Sequence, residues 1–505
     1  MIRKLIFTII SLSILSALTG CNSDSPDDSA SNPITYSSAA VTAFSLQEND
    51  KVLANLDSVR FSINLHECTI YNADSLPKGT RINKLQVNIA ANNLSVAEIT
   101  YRTKEGKDSV VDYLKSTSDT IDFSRGPVQL RVVSGDKTTT CVYSIKVNVH
   151  QMEPDSLYWS KSARKSLPSI YNVPSAQKTI EKGGKLYCLT TNGEKYCVAM
   201  TNHPDQEWEK REIAFEFTPN VETFATDGTD LYLLDDAGNL YKSDDEGESW
   251  TAQSGYKWMS VIGGYDGKVL GVERSGNDYY YTSYPDGEKT LAPEGFPVTG
   301  FSGLYIYSTK WSESRTAIMV GGRDKNAKSI DRTWAYDGKH WADITTDRRV
   351  CAAEGMNIVK FYKCSLDTTN WTYKSDEVLL AFGGNKGNEM NGVTYMSKDL
   401  GFNWRQAGTL MNLPDYIPGR YLSDSFVYER VIAPDARGCE EWQEMPEIYL
   451  PAWYVPESAL SRAVSEVTQW NTPYIYIFGG YNATHTLYNT VWRGTIGRLE
   501  FKPVQ

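Results

Sequence analysis

Histidine is nearly absent, with five in 505 residues. A His-rich metal centre is therefore not expected, and no cysteine pair has zinc-ligand spacing. Positive charge is in deficit: 51 Lys and Arg stand against 62 Asp and Glu, a formal net charge of −11. Such a surface repels phosphate backbones, so nucleic acid is not an expected partner. Also missing are the Gly-x-x-x-x-Gly-Lys-Ser/Thr phosphate loop, the Gly-x-Ser-x-Gly nucleophile turn and the His-Glu-x-x-His zinc helix. No cofactor is indicated. Long apolar stripes at helical spacing are scarce. What the chain has in plenty is glycine, 37 residues, and tyrosine, 32. With 41% hydrophobic and 22% charged residues it can build a core, and its texture is that of an all-β protein.

At the N-terminus, Arg3 and Lys4 precede the apolar run Leu5 to Leu18. That run is shorter than the ~20 residues a membrane-spanning helix needs. It reads as a signal peptide over residues 1–20. It ends in Leu18-Thr19-Gly20-Cys21, which resembles a bacterial lipobox. The resemblance implies that Cys21 is lipidated and begins the mature chain; an ordinary signal peptide is the alternative. Each buried methylene contributes about 0.8 kcal/mol, so several acyl chains anchor stably where a single one does not. Residues 21–37 are rich in Asn, Ser, Asp and Pro and read as a flexible tether. Their acidic run through Asp27-Asp28 resembles the surface-export signal of Bacteroidota lipoproteins, with a plain solvated linker as the alternative.

Residues 38–151 alternate with period two. Val59, Phe61 and Ile63 interleave with Arg60, Ser62 and Asn64, and Val128, Leu130 and Val132 repeat the pattern. Short alternating strands separated by turn signals predict an Ig-like β-sandwich, with a spacer role.

Residues 152–505 change texture to Trp, Gly-Gly and Asp-Gly. Ser243-Asp244-Asp245-Glu246-Gly247-Glu248-Ser249-Trp250 and Ser397-Lys398-Asp399-Leu400-Gly401-Phe402-Asn403-Trp404 fit one template, Ser-x-Asp-x-Gly-x-x-Trp. The template predicts a tight hairpin. Ser and Asp side chains bond back to the turn, Gly takes positive φ, and Trp folds under it into the core. These segments resemble the Asp-box of sialidase-like and BNR-type propellers. Degenerate copies end at Trp208 and Trp341. A second repeat sets Gly-Gly after an apolar strand at Gly263-Gly264, Gly321-Gly322, Gly383-Gly384 and Gly479-Gly480, which resembles the kelch blade. Together they predict a β-propeller with blades at about 173–214, 219–254, 256–294, 297–346, 350–410 and 415–503. Six blades is the preferred count and seven the alternative. Leu157-Tyr158-Trp159-Ser160 would supply the strand that closes the ring.

Two local expectations follow. Asn192-Gly193, taken as a two-residue hairpin turn, sets Cys188 opposite Cys197 as a candidate disulfide, with two reduced thiols as the alternative. An insertion at about 430–470 in the last blade carries Trp442, Trp453, Tyr454 and Trp470. Exposed aromatics of this kind stack on sugars or anchor protein partners; packing of the insertion onto its own blade is the competing reading.

Sialidases need an arginine cluster, a Tyr–Glu nucleophile pair and an acid/base Asp, and the family's Arg-Ile-Pro segment is absent here. Asp245 and Asp399 belong to turns and are structural. The whole arrangement resembles Bacteroidota outer-membrane lipoproteins with an Ig-like segment and a kelch/BNR-type propeller, as does Asn72-Ala73-Asp74-Ser75-Leu76-Pro77 after a strand. The sequence thus reads as a lipid-anchored, non-catalytic outer-membrane protein. It would bind a glycan or an envelope protein. The alternative is a glycan-active enzyme with its site in the propeller mouth.

Overall fold

The computed structural model describes residues 37–496, apart from 73, 127, 150–155, 310–313, 370–371, 388 and 433–469. Its regular structure is β throughout, save two single-turn 3-10 helices at Leu56–Ser58 and Thr409–Met411. Among the described residues no helix is long and apolar enough to cross a membrane.

The N-terminal unit has two sheets on one core. The larger runs Ser62–Asn64, Thr69–Tyr71, Thr140–Lys146, Val128–Ser134, Leu94–Arg102, Asp108–Asp112. Its neighbours are antiparallel except Thr69–Tyr71 with Thr140–Lys146. The smaller pairs Val41–Leu46 with Val87–Ala91. The alternation at 128–132 does what its period requires: Val128, Leu130 and Val132 are buried while Gln129 and Arg131 face out. Phe44, Ile70, Ile99 and Tyr143 join them in the shared core. The Val41 N–H donates to the Tyr143 hydroxyl at 3.1 Å, tying the small sheet to the large one. Asn72 is fully buried. Its amide donates to the carbonyls of Asp74 and Asn148 and accepts from the Asn148 N–H at 2.6 Å, so this residue of the Asn-Ala-Asp-Ser-Leu-Pro segment is a clasp between strands.

Beyond it the described residues form six four-stranded antiparallel sheets. Five are meanders, spanning 176–213, 219–257, 260–291, 305–343 and 357–406. The sixth takes Asp424–Ile432, Trp470–Phe478 and Val491–Ile496, and its outermost strand is Leu157–Trp159 from ahead of the first sheet. There Gly494 lies opposite Trp159 and Ile496 opposite Leu157. The borrowed strand covers an edge that would otherwise expose unpaired backbone.

The sheets stand in a closed ring, because six hydrophobic clusters each join two neighbours and the last joins the sixth sheet to the first. Both faces of the second strands are therefore covered. This explains their continuous burial, as in Leu231–Asp235 and Thr316–Val320, where a one-faced sheet would alternate.

Two local expectations are corrected. Cys188 lies opposite Ala199, and Cys197 lies opposite Thr190. The loop is not the two-residue turn that Asn-Gly suggests. The Asn192 side chain accepts from the N–H groups of Glu194 and Lys195, and Thr191 Oγ1 accepts from Gly193 N–H, which lengthens the turn and moves the register by two. Both thiols are free and buried. Burial pushes both thiols upward, so both are expected to resist alkylation in the native state and to react on unfolding. Mass spectrometry after denaturing alkylation without reductant checks this; a surviving 188–197 cross-link would restore the paired reading. The second correction concerns Gly-Gly. The pairs at 321–322, 383–384 and 479–480 follow the second strands of the fourth, fifth and sixth sheets, but Gly263-Gly264 lies inside the first strand of the third. There the Gly264 Cα faces the Thr226 carbonyl so closely that an added Cβ would overlap it.

Candidate functional site

The two Ser-x-Asp-x-Gly-x-x-Trp segments form the same turn, between the third and fourth strands of the second and fifth sheets. Ser243 Oγ donates to Asp245 at 2.8 Å and accepts from Gly247 N–H at 2.9 Å; Ser397 does the same with Asp399 and Gly401 at the same distances. Asp245 also accepts from Ser249 N–H, and Asp399 from Asn403 N–H, both at 2.9 Å. Burial would raise the Asp245 carboxyl, but the hydrogen bonds from Ser249 and Ser243 outweigh it and hold it at about 2. Asp399 is lowered in the same way. These acids stay ionised and are fully engaged within their turns. The indoles differ: Trp404 donates to Thr333 Oγ1 of the neighbouring sheet at 3.0 Å, while Trp250 donates to Gly247 O of its own turn at 3.1 Å.

The seam between the first and sixth sheets carries two buried or half-buried carboxylates. Asp424, buried in the sixth sheet, accepts from Gln177 Nε2 at 3.2 Å, Lys178 Nζ at 2.6 Å and Thr179 N–H at 2.7 Å in the first. Further out, Asp205 accepts from Arg493 Nη1 at 2.8 Å and the Tyr476 hydroxyl at 2.7 Å. Asp205 belongs to the degenerate turn that ends at Trp208. Burial would raise its carboxyl, but Arg493, the Tyr476 hydroxyl and Arg430 outweigh that and hold it below the usual carboxylate value. A carboxyl whose folded pKa is depressed contributes stability above its unfolded value, about 3.9, and loses it as pH falls through the folded value. Wild-type melting temperature is therefore expected to fall more steeply from pH 5 toward pH 2 than that of Asp205→Asn, which is less stable at neutral pH but lacks this titration. Parallel melting curves across that range check it.

At the Gly-Gly end of the ring three turns repeat one pattern. Arg323, Asn385 and Tyr481 follow the three glycine pairs and form backbone bridges to Thr299, Glu354 and Tyr421. Gly322 N–H donates to Ala353 O and Gly384 N–H to Arg420 O, both at 2.9 Å, linking each turn to the next sheet. Gly300 and Gly355 take φ +63°, and Leu422 takes the matching left-handed conformation at +53°. Leu422 N–H donates to Gly355 O, and Gly355 N–H to Gly300 O, so the three positions form a stair between sheets.

These turns gather a charged and aromatic cluster that no motif announces. Glu354, 7% exposed, accepts from Arg323 Nη2 at 2.6 Å and Asn385 Nδ2 at 3.2 Å. The Tyr421 hydroxyl lies 2.8 Å from His485 Nδ1, and His485 Nε2 lies 3.3 Å from Glu222 of the second sheet. The Tyr481 ring stacks on His485 at 4.2 Å and 9°. Burial, with Glu222, pushes the Tyr481 hydroxyl upward, and burial with Glu354 and Glu222 does so for Tyr421. The imidazole thus bridges the sixth sheet to the second, between the Tyr421 hydroxyl and the Glu222 carboxylate. Every resolved shift on an Asp or Glu among the described residues is downward. The arrangement offers fixed charges and hydrogen-bonding groups. Among the described residues it holds no group of three His, Cys, Asp or Glu placed to bind a metal.

Of the aromatic candidates, Trp442, Trp453 and Tyr454 lie outside the described residues, as does the lipid-anchor candidate Cys21. Trp470 begins the strand Trp470–Phe478, opposite Ile432. The insertion therefore leaves the sixth sheet between its first and second strands, at the end opposite the Gly-Gly turns.

No functionally curated protein matches the chain. Among solved structures, the SapL1 lectin in complex with alpha methyl fucoside is similar at 11% identity over 63% of this chain and 97% of that one, with a TM-score of 0.32. YCF48 bound to D1 peptide is similar at 12% over 74% and 91%, with a TM-score of 0.28. The GH74 enzyme of Niastella koreensis shows 17% over 45% and 36%, with a TM-score of 0.29. Scores of this size carry no functional inference. The family models are decisive for kinship: the domain of unknown function (DUF6242) N-terminal domain matches residues 35–147 and the DUF6242 beta propeller domain matches residues 153–504. The chain belongs to the DUF6242 family, a β-propeller preceded by that family's N-terminal domain.

Proposed function

We propose that the chain is a non-catalytic binding protein of the bacterial outer membrane, anchored by acyl chains on Cys21. In this reading an Ig-like sandwich over 38–151 acts as spacer, and a six-bladed kelch/BNR-type propeller over 152–505 presents a surface to a glycan or an envelope protein. The observation that carries it is an asymmetry of the ring. The first two strands of the fifth sheet are 11 residues each and those of the sixth 9, against 3 to 8 in the other sheets. Three extra residues add about 10 Å of reach, and both hairpins project from the same end. The fifth-sheet hairpin meets the N-terminal unit, Asn55 Nδ2 donating to Thr368 O at 3.1 Å. The sixth-sheet hairpin carries the insertion with Trp442, Trp453, Tyr454 and Trp470. Rigid scaffolds with one elaborated loop set are the usual platform for binding. At the seam the Asp205 carboxyl is held below the usual carboxylate value by Arg493, the Tyr476 hydroxyl and Arg430, which suits a fixed anion rather than a proton donor.

The chain from residue 22, freed of its anchor, is expected to be retained by at least one host or dietary polysaccharide in affinity electrophoresis. Trp453→Ala is expected to weaken that retention at least tenfold with melting unchanged. Release of shortened or unsaturated products would overturn the non-catalytic reading, and full retention by Trp453→Ala would dismiss the aromatic patch.

A further inference from the structure

We propose that Cys68 and Cys141 form a dithiol site in the N-terminal unit that closes to a disulfide by exchange with an external disulfide. The pair stands apart from the binding reading of the propeller. Its members are distant in sequence and are brought together by the parallel junction of the larger sheet. Thr69 lies beside Ser144 there, and Cys68 O accepts from the Ser144 N–H at 2.8 Å. That register sets Cys68 beside Tyr143, two residues beyond Cys141 on the same strand. Along Thr140–Lys146 the side chains of Thr140, Val142 and Ser144 are exposed, so Cys141 shares the inner face with buried Tyr143 and Ile145. Both cysteines pack against the core of the unit.

The two thiols are neighbours. Burial, and then the Cys141 thiol that shares a hydrogen bond with it, push Cys68 up to about 11. Burial, and then both thiols, push the Tyr143 hydroxyl upward against the lowering effect of the Val41 N–H, so the three groups form one cluster. Tyr143 ties the small sheet to the large one through Val41, which puts the pair where the two sheets meet. Cys68 ends the turn that starts at Leu65 and takes the left-handed conformation, φ +52°, which costs a residue that carries a Cβ. Its thiol also reaches Leu65 O, at 3.7 Å, a weak bond.

Cys68 and Cys141 are partly exposed, where Cys188 and Cys197 are buried, so an external disulfide can reach them. Exchange takes two steps. One cysteine, as thiolate, attacks a sulfur of oxidised glutathione, breaks its S–S bond and releases one glutathione thiolate. The other, as thiolate, attacks the protein sulfur of the mixed disulfide, forms the Cys68–Cys141 bond and releases the second glutathione. Two protein thiols are oxidised, one external disulfide is reduced, and the two protons pass to the two glutathiones. Each cysteine is the nucleophile once, so Cys68 must ionise in one of the steps, and closure speeds as pH rises. The bond would staple a parallel junction of three residue pairs, the weaker kind of ladder, and would enclose the strands between 68 and 141. An oxidising compartment, which the signal peptide expected over residues 1–20 implies, would keep it closed.

The test equilibrates the full chain in detergent with reduced and oxidised glutathione at about pH 8.5. The mixture is quenched with acid, alkylated and mapped by mass spectrometry. A Cys68–Cys141 cross-link is expected in most molecules. Cys351→Ser is expected to keep it, and Cys68→Ser or Cys141→Ser to remove it. The ratio of reduced to oxidised glutathione needed to open half the bonds is expected to be at least about tenfold higher for the folded chain than for the chain in urea, because a fold that is stabilised by the bond stabilises it in turn. Absence of the cross-link, with or without glutathione adducts on either cysteine, overturns the inference, as do equal ratios for the folded and unfolded chain. Alkylation of whole cells before lysis separates the site from its compartment. Thiols open in cells but closing in vitro uphold the site and count against export.

Discussion

Asp424→Ala is expected to destabilise the ring by about 3–5 kcal/mol, the range for removing one partner of a buried ion pair. The carboxylate is 7% exposed and accepts from Gln177, Lys178 and Thr179, residues about 245 positions away in sequence. Alanine would leave the Thr179 N–H and the Gln177 amide unpaired inside the seam, and each such group is costly to bury alone. Lys178 is partly exposed and regains water, which places the expectation toward the lower end of the range. Asp424→Asn keeps an acceptor for Thr179 and should lose markedly less. Denaturant unfolding of the three proteins measures this. A fall below about 1 kcal/mol for the alanine variant would show that the seam is closed by apolar packing and the borrowed strand alone.

Trp404→Ala should rival it, at about 3–5 kcal/mol for an indole deleted from a core. Trp404 is 2% exposed, packs with Ile318 and Ala381, and donates to Thr333 in the adjoining sheet, so its loss opens a cavity and weakens a junction. Trp250 fills the matching corner but is only half-buried, rests on Phe215, and bonds within its own turn. Its alanine variant should lose about half as much, and the contrast separates local turn closure from packing between sheets. Trp404→Phe retains most of the volume and isolates the hydrogen bond. Equal losses at the two sites would refute the distinction.

Both turns were readable from sequence because the Ser, Asp and Gly bonds that make them lie within eight residues. The closing strand was readable for a related reason, since Leu157-Tyr158-Trp159 is an apolar segment with no partner nearby. Cys188 and Cys197 show where local reading fails. Asn-Gly admits more than one loop, and the side-chain bonds of Thr191 and Asn192 choose the longer one. Gly263-Gly264 failed because a glycine pair can admit a neighbouring backbone or turn the chain, and the letters do not say which. The seam was illegible: nothing around Asp424 points to Thr179, nor around Asp205 to Arg493, because the topology alone brings them together. The same holds for Glu222 and His485, which meet across the ring's mouth.

The borrowed strand also makes the molecule a test of its own completeness. Trp159 emerges early in synthesis, yet its place against Gly494 does not exist until the chain is nearly finished. Contacts of such long span form late and slowly. A product cut short before residue 491 would keep five finished modules and an unguarded ribbon at either side of a gap. Proteolytic triage could then act on such fragments and spare the sealed ring.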